Sequence, residues 1–334
     1  MAIAGAATVA DLIRFLEPDI SRCLGTAPTA AIRMRAQSLP LGPFRLLGLE
    51  IPLSVPAAPV DLLLQLAPAV ALRAVAASLS AGNELASLLA VLTHRHHEHF
   101  GEVGDAWLEY DIGSGDGRRP SLFAGPARPT LAVAVARILH ANPAAEAGLQ
   151  RLVEALGNDD RVQQIGVMHG RRQPELRCVL TSSGTGAASA MRALARVGWP
   201  GDLAALADVL LQYGPLSSRQ SVGVGFDSGG ELSVAVGVEL LVPGRTDAER
   251  LLRRMEDDGL AAPGATSRLL AWHGHALDPA GDGAPDAFRA LSALTRGKAV
   301  PAVIRRIHHI KLTLAPDRTL AAKAYLGAAL RLVV

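Results

Sequence analysis

The strongest constraint on the fold comes from residues 305–329, where two alternating runs of apolar and polar residues flank a short turn. His309 and Lys311 share one face of the first run, and Lys323 and Tyr325 share one face of the second. Successive side chains of a β-strand point to opposite faces, so this period predicts a β-hairpin. Its polar face either meets solvent or lines a cavity.

The same pattern recurs earlier in the chain. Hairpins are predicted for residues 106–125, 162–181 and 221–240, the last with a Gly-Gly turn that is a strong hairpin signal. A weaker pattern predicts a first hairpin within residues 32–51. Helical periodicity separates the hairpins and predicts helices over residues 9–24, 60–79, 83–100, 129–156, 185–195, 201–213, 246–258 and 284–296.

The order of elements therefore repeats helix, strand, turn, strand five times. Ten strands in an open sheet would leave two edges, whereas closure removes both. We expect an α/β fold in which residues 1–334 form a single domain, a ten-stranded antiparallel β-barrel of five αββα-type repeats ringed by helices. The aliphatic strand faces would pack under the helices and the polar faces would line an interior cavity.

By strand parity, the predicted lumen contains most of the chemically useful side chains of the hairpins. These are Glu109, Asp111, Arg177, Asp227, Glu239, His309, Lys311, Lys323 and Tyr325, with Arg33 and Arg35 added by the first hairpin. The alternative is a solvated face with cross-strand ion pairs, each worth about 0.2–1 kcal/mol.

Composition excludes several classes of protein. A net charge of +2 gives no case for a nucleic-acid partner. Cys23 and Cys178 form neither a disulfide framework nor a metal-binding motif, which fits a reducing cytoplasm. The apolar stretch 53–79 is interrupted by prolines and charged residues, and the first residues lack a basic leader. We therefore expect a cytoplasmic protein without a membrane partner.

The order of elements and the chemistry of their faces resemble the ABBA or PT-barrel architecture of the soluble aromatic prenyltransferases. This resemblance implies that a small aromatic compound and an allylic diphosphate bind in the lumen, the diphosphate through lysines and arginines. The cations that would serve are Arg33, Arg35, Arg177, Lys311 and Lys323. In that family a ring of tyrosines shields the carbocation, and here Tyr325 points inward by parity whereas Tyr110 points outward.

Four short segments carry a second resemblance, to proteins of uncharacterised role encoded beside kinase-like and lyase-like enzymes of class V lanthipeptide pathways. They are WLEYDI (107–112), LLAWHG (269–274), HHIKL (308–312) and AKAYL (322–326). This resemblance implies a ribosomally made peptide substrate and partner biosynthetic enzymes. The implied reaction closes thioether rings by adding a Cys thiol to a dehydroamino acid.

The predicted lumen suits that reaction. His309 would act as the base that generates the thiolate, and Lys311, Lys323 or Tyr325 would stabilise the developing enolate. Carboxylates would orient the histidine or hold the lysines charged, which assigns catalytic roles to Glu109 and Asp111 as well. The residues expected to bind substrate are Arg177, Asp227, Glu239, Arg33, Arg35, Trp107 and His273.

Two further motifs have ordinary structural explanations. The histidine run 94–99 lacks a fixed third ligand and is typical of a polar helix end. The segment 182–186 lacks the lysine of a phosphate-binding loop and is typical of a helix cap. We therefore expect neither a metal nor a cofactor.

Three functions remain open from the sequence. The first is a thioether-forming peptide cyclase, the second is an aromatic or peptide prenyltransferase, and the third is a non-catalytic peptide-binding partner protein.

Overall fold

In a computed structural model, the described residues are 8–37, 39, 44–54, 60–66, 103–112, 120–126, 131–139, 141–168, 176–182, 187–277 and 300–333. The helices are α1 (Val9–Leu24), α2 (Thr26–Gln37), α3 (Ala132–Ile138), α4 (Pro143–Glu154), α5 (Ala188–Arg196), α6 (Leu203–Tyr213), α7 (Arg245–Asp257) and α8 (Ala265–Leu270). The strands are β1 (Phe44–Pro52), β2 (Asp61–Leu66), β3 (Val103–Asp111), β4 (Ser121–Pro126), β5 (Asp160–Val167), β6 (Leu176–Ser182), β7 (Arg219–Phe226), β8 (Leu232–Leu241), β9 (Gly274–Leu277), β10 (Val300–Leu314) and β11 (Leu320–Val333). None of the helices in these ranges is both long and apolar enough to span a bilayer.

Ten of the strands form a closed antiparallel barrel, as the sequence predicts. Strands β1 to β8 pair in chain order, β8 pairs with β10, β10 with β11, and β11 returns to β1. The short strand β9 is an unpredicted addition that pairs with the first half of β10.

Apolar side chains cover the outer face of the barrel and pack against the helices. Ile310 and Leu312 of β10 are fully buried there, and so are Ala324 and Leu326 of β11. Cys178 of β6 is fully buried among these residues. The main core therefore lies between barrel and helices.

Helix α1 shows how the outer layer is fixed locally. Thr8 caps its N-terminus in a reciprocal capping box with Asp11, and the helix ends at Gly25, whose φ is +86°. Asp19 forms an ion pair with the buried guanidinium of Arg305. Because Arg305 belongs to β10, this pair ties the helix to the barrel wall.

The predicted first hairpin is wrong. Residues 26–37 form α2, and β1 pairs instead with β2, which lies in a stretch predicted to be helical. Ile32 and Ala36 lie one helical turn apart and are both buried, so the short alternating run also fits a helix. In β2, Leu62 and Leu63 are both buried although they point to opposite faces, which hides the period-2 signal of a strand.

Other predicted elements differ in detail. The helix predicted over 129–156 is two helices, because Asn142 caps α4 and Pro143 begins it. Between the helices predicted over 246–258 and 284–296, where no element is predicted, the described residues contain α8 and β9. The predicted helices over 83–100 and 284–296, residues 67–79 and the histidine run 94–99 lie outside the described residues.

Candidate active site

The barrel encloses a cavity of about 640 Å³. Its volume follows from small residues at inward positions of the strands, including Gly48, Gly223, Gly237 and Gly327. A methyl group at Gly223 would meet no atom closer than 3.9 Å, so this position borders open space. A ten-stranded barrel with larger inward side chains would fill much of that space.

Acidic residues concentrate at one end of the barrel. Glu50 lies near the end of β1, Asp61 begins β2 and Glu109 lies near the end of β3. Because neighbouring strands are antiparallel, these positions meet at the same end, with one carboxylate oxygen from each residue within 4.8 Å of the others. We call these three residues the acidic cluster.

Arginines concentrate at the opposite end. Arg219 begins β7, Arg306 lies in the first half of β10 and Arg331 lies near the end of β11, and all three line the cavity. We call them the arginine cluster. The acidic cluster and the arginine cluster therefore lie at opposite ends of the barrel.

Within the acidic cluster, Glu50 has its own cation. The Lys323 ammonium donates to the buried Glu50 carboxylate, and the Tyr325 hydroxyl donates to it as well. Burial alone would raise the pKa of Glu50, but the charges of Lys323 and Lys311 and these hydrogen bonds hold it below its ordinary value. Glu50 is therefore ionised at neutral pH.

Glu109 is different. Its side chain is 5% exposed, and among the described residues it has neither a hydrogen bond nor an ion pair. Burial, followed by the negative charges of Glu50 and Asp61, raises the pKa of Glu109 to about 8. Near neutral pH this carboxyl group can either hold a proton or accept one.

The spacing of the acidic cluster also suits a divalent cation, and among the described residues no other group of three has it. The Lys323 ammonium, however, already contacts Glu50 at this place. The chain's own lysine thus supplies positive charge to the cluster.

His309 and Tyr325 stack across neighbouring strands, with ring centroids 4.0 Å apart and planes inclined by 19°. Burial, together with the charge of Lys311, lowers the pKa of His309 to about 3. The imidazole is therefore neutral and a weak base. This corrects the prediction that His309 supplies the base without a large shift of its pKa, and Glu109 has the pKa that such a base needs.

His308 also faces the cavity, although it directly precedes the inward His309 and strict alternation with His309 would turn it outward. A β-bulge between Ile307 and His309 inserts one residue and breaks the alternation of β10. The Nδ1 atoms of the two histidines lie 2.8 Å apart.

The predicted substrate-binding residue His273 does not border the cavity. Its Nε2 accepts a hydrogen bond from the Ile307 backbone N–H at 3.3 Å, so His273 supports the bulge.

The remaining wall combines charge and apolar surface. Lys311 Nζ lies 4.0 Å from the carboxylate of Glu239, whose pKa is raised by burial and partly restored by that lysine. Arg177 lines the wall formed by β6. Trp107 and Phe123 supply aromatic surface beside it.

The structure thus gathers many of the predicted site residues around one cavity. Those that line it are Trp107, Glu109, Arg177, Glu239, His309, Lys311 and Tyr325, and Lys323 joins them through Glu50. Tyr110 points outward and is buried, as predicted. Asp111 lies at the end of β3 beside Asp61, beyond the cavity lining.

Three predicted site residues lie elsewhere. Arg33, on α2, forms an ion pair with Glu17 at 2.8 Å. Arg35, also on α2, places its guanidinium 4.5 Å from the centroid of the Tyr110 ring, outside the barrel. Asp227 lies in the exposed β7–β8 turn, where its carboxylate accepts hydrogen bonds from the backbone N–H groups of residues 229 and 231.

Sequence reasoning missed six residues that belong to the site: Glu50, Asp61, Arg219, Arg306, His308 and Arg331. Glu50 carried a usable signal, because it alternates with the outward Leu49 and Ile51. His308 carried none, since a bulge is not visible in an alternating pattern.

A closed ten-stranded antiparallel barrel with helices outside and a polar lumen is the ABBA or PT-barrel fold. Among solved structures, the chain is similar to the apo form of prenyltransferase PriB, with 15% identity over 96% of each chain and a TM-score of 0.55. A 6-dimethylallyl tryptophan synthase has 17% identity over 96% of this chain and 97% of its own, with a TM-score of 0.58. The 5-dimethylallyltryptophan synthase from Streptomyces coelicolor has 15% identity over the same shares, with a TM-score of 0.52. No protein-family model and no curated protein matches the chain. At such identities the likeness establishes the fold.

Proposed function

We propose that the protein transfers an allylic group from a diphosphate donor to a nucleophilic acceptor inside the barrel. The observation that supports this most is the charge of the cavity wall. Among the described residues that line it, five are cationic and two are carboxylic acids, both with a raised pKa. A cavity of this kind favours a polyanion such as a diphosphate.

The arginine cluster is the better place for the diphosphate. Lys311 and Lys323 already have carboxyl partners, Glu239 and Glu50, so they are less available to a diphosphate. In the part of the chain that the structure describes, Arg219 and Arg306 have no hydrogen bond or ion pair. Guanidinium groups also match the geometry of phosphate oxygens better than ammonium groups do.

The acceptor would then lie toward the acidic cluster. The C1–O bond of the allylic diphosphate breaks with its electron pair on the diphosphate oxygen, and a new bond forms between C1 and the acceptor. Glu109 takes the proton that the acceptor releases. The faces of Trp107, Phe123 and Tyr325 can stabilise the allylic cation between the two ends, because aromatic rings attract positive charge.

The class of acceptor is inferred from the fold neighbours. PriB is described in a ternary complex with L-tryptophan and dimethylallyl thiolodiphosphate, and the Streptomyces coelicolor synthase in complex with the same kinds of ligand. We carry over to this chain an aromatic acceptor, free or within a peptide, and an allylic diphosphate. A cavity of about 640 Å³ falls within the usual range of about 300–1,000 Å³ for ligand pockets.

The test of donor binding is thermal unfolding with and without dimethylallyl, geranyl or farnesyl diphosphate. We expect one of them to raise Tm of the wild-type protein and to have a much smaller effect on Arg306→Ala and Arg219→Ala. Arg33→Ala is the matched control, because Arg33 lies outside the barrel. Incubation with tryptophan and the stabilising donor should then give a product heavier by the allylic group, and stabilisation by none of the donors would refute the proposal.

Thioether ring closure is the second candidate, and one observation favours it. The pKa of Glu109, about 8, lies close to that of a Cys thiol, about 8.5, so the carboxylate can generate the thiolate. Lys311 lines the same cavity and could stabilise the enolate that follows thiol addition.

The two candidates separate in one assay. Ring closure predicts loss of the free thiol from a dehydrated Cys-containing peptide without any diphosphate, and loss of this reaction in Glu109→Gln. A non-catalytic peptide-binding partner, acting with other biosynthetic enzymes, predicts peptide affinity without a change in peptide chemistry in any of these variants.

A further inference from the structure

His308 occupies an inward position that β10 reaches only through its bulge. The backbone on both sides is anchored, since the Val242 N–H donates to the His308 carbonyl and the Ile307 N–H donates to His273 Nε2. Bulges of this type re-aim side chains next to functional sites. The bulge adds an imidazole to the cavity wall at the arginine end, close to Arg306 on the same strand.

The surroundings of this imidazole are mostly cationic. Arg306 from β10 and Arg219 from β7 lower the pKa of His308, and the carboxyl group of Glu239 from β8 raises it. On its own strand, the Nδ1 atom of His308 is in hydrogen-bond contact with Nδ1 of His309. On the β11 side, Arg306 pairs with Gly327, which carries no charge. The Nε2 atom of His308 remains for a ligand in the cavity.

We propose that His308, beside the arginine cluster, is the acid that protonates the leaving diphosphate. This rests on the proposed function. The electron pair of the broken C1–O bond goes to the diphosphate oxygen, which then takes the proton from the His308 imidazolium and leaves neutral imidazole. The fully ionised diphosphate is a far stronger base than imidazole, so the transfer runs downhill.

The imidazolium forms only when the anion is present. In the free protein, burial, followed by the neighbouring His309 and the charge of Arg306, lowers the pKa of His308 to about 4, so the ring is neutral at pH 7. Negative charge at hydrogen-bond distance acts in the opposite direction and raises the pKa toward or above its ordinary value of about 6.5. Binding of a diphosphate should therefore draw one proton from solvent onto His308.

Isothermal titration calorimetry with inorganic diphosphate at pH 7, in buffers of different ionisation enthalpy, measures this proton. We expect the wild-type protein to take up close to one proton more per diphosphate bound than His308→Gln does. The glutamine side chain can still contact His309, and thermal unfolding checks that the variant folds. His275→Gln, at an exposed position on β9, should match the wild-type proton count.

The outcomes separate the two proposals. Binding of diphosphate with the same proton count in wild type and His308→Gln overturns the role of His308 and leaves the proposed function standing. Absence of diphosphate binding in the wild-type protein overturns both. Proton uptake that is lost in His308→Gln but kept in His275→Gln supports the assignment. His308→Gln should then also release diphosphate from the allylic donor more slowly than the wild-type protein does.

Discussion

Glu50 and Glu109 lie in the same acidic cluster, yet the Lys323 ammonium contacts Glu50 and not Glu109. This asymmetry moves their pKa values in opposite directions, below the ordinary value for Glu50 and to about 8 for Glu109. Two neighbouring carboxyl groups with separated pKa values provide one permanent charge and one proton-exchanging group. The lysine therefore determines which of the two acids can serve as a base.

The first prediction concerns stability against pH. The pKa of Glu109 is raised in the folded protein from about 4.3 in an unfolded chain, so ionisation costs folding free energy. This cost is absent at low pH, grows as pH rises from about 4.3 and levels off above pH 8. Glu109→Gln lacks it, and urea unfolding should find this variant more stable than wild type at pH 8 by on the order of 3–5 kcal/mol.

At pH 4 the same two proteins should unfold at nearly the same urea concentration. Glu249→Gln changes a half-exposed carboxylate on α7 whose pair with the exposed Arg253 is of the weak surface kind, and it should follow the wild-type curve closely throughout. A constant difference between wild type and Glu109→Gln across this pH range would contradict the assignment of the titration to Glu109.

The second prediction concerns the rate of the proposed transfer. A base with a pKa of about 8 in the free protein is increasingly ionised as pH rises, so Glu109 should give kcat/KM a limb that rises up to about pH 8, opposed by the falling limb of the proposed acid His308. Loss of a general base typically lowers the rate by about 10²- to 10⁴-fold, and we expect Glu109→Gln to lose this much together with the rising limb. A pH profile unchanged in the variant would transfer the role to another group.

The third prediction concerns Lys323. Its replacement by Met keeps most of the side-chain volume and leaves the Glu50 carboxylate buried without its cation. Removing one partner of a buried pair costs about 3–5 kcal/mol, but the Lys323 side chain is 35% exposed, so we expect about 2 kcal/mol in urea unfolding at pH 7. The double variant Lys323→Met/Glu50→Gln should recover most of this loss, because it removes the unpaired charge; a loss equal to that of the single variant would point to packing.

The sequence predicted the barrel where one strand face is aliphatic and the other polar. In β10 and β11 the outward residues are buried under helices and the inward ones border a polar cavity, so the period of two is visible. The strand prediction failed at β2, where Leu63 lines the cavity and Leu62 lies in the core. With apolar residues on both faces, a strand and a helix cannot be told apart from so short a run.

The site was predicted unevenly for related reasons. Parity brought Lys311, Glu239 and Tyr325 to the cavity correctly, because their strands are regular at these positions. It could not place His308, since the bulge depends on a hydrogen bond from Ile307 to a residue 34 positions away in the chain. Nor does a pattern of faces report burial depth, which is what makes His309 a weak base.

The fourth prediction separates a helix arginine from a cavity arginine. Arg35→Ala removes the cation–π contact with Tyr110 and should cost about 1 kcal/mol in urea unfolding, with no change in affinity for dimethylallyl diphosphate. Arg306→Ala should leave stability nearly unchanged and weaken the binding of dimethylallyl diphosphate. Its side chain is exposed at the cavity mouth, and loss of a charged hydrogen bond corresponds to about 10- to 100-fold weaker binding of the donor. If the two variants weakened donor binding equally, Arg35 would have to contribute to the donor site.

The fifth prediction compares two glycines of the inner wall. A methyl group at Gly166 would lie 2.2 Å from the Phe123 ring, so Gly166→Ala should destabilise the barrel by about 1–3 kcal/mol. At Gly223 the same methyl group would meet no atom closer than 3.9 Å, and the loss of unfolded-state freedom should leave Gly223→Ala as stable as wild type or slightly more so.

Because that methyl group enters open space, Gly223→Ala should weaken binding of a bulky acceptor and leave the affinity for inorganic diphosphate unchanged. Urea unfolding and calorimetry with both ligands measure the three quantities. If Gly223→Ala bound the acceptor as tightly as wild type does, the acceptor would not occupy the space beside β7. A glycine whose replacement costs no stability but does cost affinity is there to keep room for a ligand.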